Sequence, residues 1–101
     1  MKKSIQNYVP LSDDSKFKSW MDDVKAIAEA EGTSKVLDPD FTPTPDQEAE
    51  FDANKKHIYA MLRWHGNTGI IRNILSKTAK GQEAIKMIML EYSDQHAGRV
   101  R

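Results

Sequence analysis

Phe17-Lys18-Ser19-Trp20-Met21-Asp22-Asp23-Val24-Lys25-Ala26-Ile27-Ala28-Glu29-Ala30-Glu31-Gly32 is the stretch that decides the fold class. Phe17, Trp20, Met21, Val24, Ile27 and Ala28 recur at steps of three and four, which places them on one face of a helix. Lys18, Asp22, Asp23, Lys25 and Glu29 fall elsewhere around it. Ser12 or Asp13 offers an N-cap, and Asp13 and Asp14 stand where the helix dipole favours negative charge. Gly32 occupies the place where a left-handed residue stops a helix. Upstream, residues 1–12 show little period and contain Pro10, so an extended or loosely ordered arm is expected there.

Downstream, three prolines in residues 33–45 rule out a continuous helix. Val36, Leu37 and Phe41 are apolar enough to tuck beneath the helices, which makes this a packed connector. Thr44, Pro45 and Gln47 spell a capping box with proline in the first turn. A second helix is expected to follow to about Trp64, with Phe51, Ile58, Met61 and Leu62 on its buried stripe and Gly66-Asn67 ending it. Thr68 caps a short third helix carrying Ile70, Ile71, Ile74 and Leu75. Thr78 or Gly81 opens a fourth, with Ala84, Ile85, Ile88, Met89 and Tyr92 inward and Gly98 past its end. The expected architecture is all-α, a small bundle of about four helices in one domain over 13–98, with a tail at 99–101. The Gly98-Arg99-Val100-Arg101 ending reads as a domain boundary.

Composition narrows the function classes. The 101 residues suffice for one core, and 39% hydrophobic with 30% charged residues reads as globular. There is no cysteine, which excludes disulfides and thiolate metal sites and points to a reducing, cytoplasmic setting. No apolar run approaches the ~20 residues of a membrane span, and no apolar segment follows Met1-Lys2-Lys3 as a signal peptide requires. The net charge of zero is unevenly spread. Residues 1–52 hold 6 Lys+Arg against 12 Asp+Glu, a net −6, and residues 53–101 hold 9 against 3, a net +6. Such a chain has no overall field to draw it onto nucleic acid.

Catalytic chemistry is not readable. There is no cysteine nucleophile, no G-x-S-x-G and no phosphate-cradling glycine loop followed by Lys-Ser/Thr. His57 and His65 stand eight apart on one helix, about 12 Å, too far to share a metal ion. The acidic run Asp38, Asp40, Asp46, Glu48, Glu50, Asp52 lacks the spacing and glycine of a calcium loop. No cofactor, metal or small-molecule substrate is expected, and no enzymatic role. Tyr59 and Trp64 fall beside the second helix's stripe, and Met87 and Leu90 widen the fourth helix's apolar surface beyond one side. These four, with the basic Lys77, Lys80 and Lys86, are the candidate interface residues.

The order of features resembles a known family. Phe17-Lys18-Ser19-Trp20 opens a helix, Gly32 ends it, and Val36-Leu37-Asp38-Pro39-Asp40-Phe41-Thr42-Pro43 follows. Phe51, then Ile58-Tyr59-Ala60-Met61-Leu62, and finally Leu90-Glu91-Tyr92-Ser93 complete the series. Over about residues 15–95 this looks like the Gag capsid region of Ty1/copia-type LTR retrotransposons, particularly those of microalgae and related protists. Ile85 and Lys86 stand where that family often has Trp or Tyr, and its C-x-x-C zinc knuckle is absent. The resemblance implies a capsid-like lobe that self-associates as a homo-oligomer into an intracellular particle, with element RNA held through other Gag regions. Two other readings stand beside it. One is a small adaptor or regulatory domain that buries its Met-rich helix on a single protein partner. The other is a helix–turn–helix DNA-binding module over Ile70–Leu75 and the following helix, with Gln82 as its main base reader.

Overall fold

The computed structural model describes the backbone of residues 1–100 and the side chains of residues 1–93. Four helices form a small all-α bundle: α1 Phe17–Glu31, α2 Glu48–His65, α3 Gly69–Leu75 and α4 Gly81–Val100. Short 3-10 turns at Ile5–Asn7, Asp14–Lys16, Ser34–Leu37 and Pro45–Gln47 join or precede them. Among the described residues there is no strand, only an isolated parallel bridge between Leu11 and Gly66.

Local chemistry sets the boundaries. The Asp13 carboxylate accepts from Ser15 N and caps the turn leading into α1. Gly32 closes α1 with φ 81°, the left-handed conformation that glycine adopts without a Cβ penalty. At the start of α2 the capping box closes, with Thr44 N–H donating to Gln47 Oε1 at 3.1 Å. Gly66 N–H then returns to Leu62 O at 2.8 Å. The Thr68 hydroxyl accepts from Ile71 N at 3.2 Å and starts α3.

α4 packs across α2 and α3, and the Ser34–Leu37 turn wedges against α1, α2 and α4. Val24, Val36, Ile58, Met61, Leu62, Ile71, Ile85 and Ile88 are wholly enclosed there. Burying each such side chain contributes about 1.5–3 kcal/mol, so this cluster is the main source of the fold's stability. Trp20, Met21, Phe51, Ile74 and Leu75 complete the core as the sequence predicts. The Gln82 amide donates to Asp38 O at 2.8 Å and Phe41 O at 2.9 Å, tying the connector to the start of α4. At Gly81 the α4 backbone lies so close to α2 that any Cβ would collide with the Lys55 carbonyl oxygen.

Several expectations are corrected. Residues 1–12 are not a loose arm: Tyr8 and Leu11 are buried core residues and Ile5 packs against them. The segment lacks period because its partners lie far away in the chain. Phe17, Ile27, Met89 and Tyr92 sit at the rim of the core, half-buried rather than enclosed. Phe17 stands at the first position of α1, and its ring stacks on Tyr92 with centroids 3.8 Å apart and planes at 4°. Helix α4 continues through Val100, so Gly98 lies within it rather than past its end. A single interior glycine costs about 1 kcal/mol, which does not by itself end a helix. Of the expected tail, Arg101 and the side chains of 99 and 100 lie outside the described residues.

Candidate functional site

The most concentrated polar chemistry lies where the N-terminal segment crosses the ends of α1 and the middle of α2. Glu31, the last residue of α1, points inward with its side chain 0% exposed. Its carboxylate accepts from Tyr8 Oη at 2.5 Å, Asn7 Nδ2 at 2.8 Å, Ser4 N at 2.9 Å and His57 Nε2 at 3.0 Å. Burial pulls the Glu31 pKa upward, but the hydrogen bonds from Tyr8, Ser4, Asn7 and His57 outweigh it and hold the carboxyl below its ordinary value. The Tyr8 phenol is pushed well above its usual range, first by burial and then by the carboxylate it donates to. A group so enclosed by its own partners holds structure together and offers no open face to a substrate.

Further contacts secure the same segment. His65 Nε2 lies 2.7 Å from Ile5 O, and because a carbonyl only accepts, that nitrogen carries the proton. Leu11 N donates to His65 O and Asn67 N donates to Leu11 O, both at 2.7 Å, so Leu11 is clamped through its main chain. Trp20 Nε1 donates to Val9 O at 2.7 Å, and Lys3 Nζ donates to the buried Asn54 side chain at 2.9 Å. No buried side-chain nitrogen or oxygen among the described residues lacks a partner.

This cluster was missed in the sequence, though a signal existed. Glu31 stands three residues past Ala28 and seven past Val24, on the apolar face of α1. A carboxylate on a buried stripe requires buried donors, and the unassigned Tyr8 was the nearest such group without a place.

The candidate interface residues divide. Tyr59 is half-buried: it packs on the core and its hydroxyl donates to Leu75 O at 3.2 Å. Trp64, in contrast, is 68% exposed and Leu90 57%. Half-buried Met87 joins Leu90, Ile70, Ile74 and Lys77 around a groove of about 480 Å³ between α3 and α4. Lys80 and Lys86 gather with Lys55 and Glu83 around a smaller, mostly basic hollow of about 340 Å³ beside Pro39. Trp64 lines neither.

Few of the charges on the two halves are in close contact among the described residues. Among the described residues the acidic and basic halves meet in two ion pairs. One is Lys55 with Asp52 at 3.1 Å, one turn apart on α2, and the other is half-buried His57 with Glu31, an ion pair only when the imidazole is protonated. Gln82, the base reader of a helix–turn–helix scheme, has its amide occupied by the connector carbonyls.

Fold and surface together define a small all-α domain whose polar cluster is internal and whose surface carries exposed Trp64 and Leu90 beside charged side chains. Comparison with protein-family models, curated proteins and solved structures finds no match for the chain.

Proposed function

We propose that this chain is a self-associating, capsid-type helical domain of the copia-like Gag class, whose copies build a cytoplasmic shell around the element's RNA and perform no catalysis. The observation that carries the reading is the charge division: a −6 half and a +6 half that, among the described residues, meet in only two close pairs. Charges unpaired within a copy are available between copies, and asymmetric head-to-tail contacts close into shells when the rotation permits. Each contact is weak and screened by salt, but repetition makes the assembly strong.

The residues that carry the family resemblance support the reading from inside. Trp20 is hydrogen-bonded to Val9 O, Asp38 and Phe41 are gripped by Gln82, and Tyr92 stacks on Phe17. These contacts bind the stretches that carry the resemblance into one fold.

Light-scattering mass measured across concentration and salt, with negative-stain microscopy of the same samples, tests the proposal. Mass should climb with concentration at low salt and fall back as salt rises. Reversing Lys77, Lys80 and Lys86 to Glu should weaken that growth. A strict monomer under all conditions would overturn the reading. The adaptor alternative draws on the groove between α3 and α4 with its exposed Leu90. A stable one-to-one complex without self-assembly would favour it.

A further inference from the structure

We propose that residues 1–11 form an exchangeable strap: the segment that closes onto its own domain seats equally in the cleft of a second copy of this chain and so links neighbours. This rests on the self-association reading above and names one of its joints.

The cleft is a built site for a peptide of defined chemistry. It presents one buried carboxylate, Glu31, to three strap donors: the Ser4 N–H, the Asn7 amide and the Tyr8 hydroxyl. It presents the His65 N–H to the Ile5 carbonyl, and the main chain of His65 and Asn67 to Leu11. The last is a single rung of strand addition, in which main-chain bonds hold an extended segment while pockets select its side chains. Tyr8 and Leu11 are those selected side chains, both buried.

Apart from the Trp20–Val9 bond, these anchors reach residues distant in sequence: Ala30, Glu31, Asn54, His65 and Asn67. The strap's link to the rest of the fold passes through Ser12 and Asp13, which are exposed and outside any helix. Nothing in the contact set depends on the strap belonging to the same molecule. Exchange replaces each bond by an identical one between copies, so the balance is set by local concentration, which an assembled shell raises. Reciprocal exchange closes a pair. One-way exchange leaves a free strap and an open cleft at the ends, and so propagates.

Complementation between two full-length variants tests this. One carries Tyr8→Ala and Leu11→Ala, a damaged strap on an intact cleft. The other carries Glu31→Gln, a damaged cleft with an intact strap. Mixed, or refolded together from denaturant if either fails to fold alone, they should form a species of twice the 11.5 kDa chain mass. Its melting temperature should stand about 5 °C or more above either variant, since one native strap–cleft pairing is restored. Two unchanged, independent transitions with no mixed species would overturn strap exchange. Wild-type multimers alongside that negative result would leave self-association standing through other surfaces, whereas a monomeric wild type would remove both.

Discussion

Replacing Glu31 by Gln isolates the contribution of the buried carboxylate. The wild-type side chain satisfies four donors with two charged oxygens. Glutamine keeps one oxygen, accepts at most two of those bonds, and aims its own N–H₂ at the rest. Bonds to a charged acceptor contribute about 1.5–3 kcal/mol each, and losing two is partly offset because a neutral amide is cheaper to bury. The expected net loss is about 3 kcal/mol. For a domain of this size that corresponds to a melting temperature lower by about 12–20 °C. Urea unfolding followed by circular dichroism and tryptophan fluorescence measures it. The pH dependence gives the sharper check. Because the folded carboxyl sits below the ordinary glutamate value of 4.5, the unfolded chain binds the proton more readily. The stabilisation is therefore fully present above that value and is lost as pH falls through the lower, folded pKa. Asp13 and Asp46, whose carboxyls are also held low by neighbouring hydrogen bonds, titrate in both proteins alike and cancel in the comparison. The gap between wild type and variant should thus stay constant from neutral pH down to about 4.5 and narrow as the pH falls below that value. A gap under about 0.5 kcal/mol at neutral pH, or one that stays constant below that value, would refute the reasoning.

Gly81→Ala should destabilise by more than about 2 kcal/mol, because the new methyl meets the Lys55 backbone carbonyl. Gly32→Ala, where space is open and only the positive φ resists, should cost nearer 1 kcal/mol; parallel urea titrations rank the two. Tyr92→Phe keeps the stack on Phe17 but loses the hydroxyl's bonds to Asp14 at 2.6 Å and Thr68 at 2.8 Å. It should lower stability by about 1–2 kcal/mol while leaving the circular dichroism spectrum of the folded protein unchanged.

What could be read in the sequence was what is local. Gly32, the Thr44–Gln47 box and Thr68 mark helix ends through contacts within three or four residues. The stripes of α1, α2 and α4 follow from the helical period alone. The strap could not be read that way. Tyr8 and Leu11 are held by Glu31, His65 and Asn67, between 23 and 56 residues further along, and no periodicity encodes such pairing. The packing of Tyr59 was hidden for a related reason: the end of α3, sixteen residues on, supplies the carbonyl for its hydroxyl. Gln82, polar and at the start of a helix, gave no sign that its amide would hold a connector some forty residues earlier. The surface charges were legible individually, whereas how few of those among the described residues meet a close partner required the fold.

The backbone contact at Gly81 also has a mechanical meaning. It is a fulcrum on which α4 rests against α2, and Tyr92 lies eleven residues along the lever, about 16 Å away at 1.5 Å per residue. A tilt of only about 10° about that point would carry Tyr92 through roughly 3 Å, enough to break both of its hydroxyl bonds. The angle of α4 is therefore gauged at Tyr92, by Asp14 and Thr68, with far greater leverage than the tight contact at its base supplies.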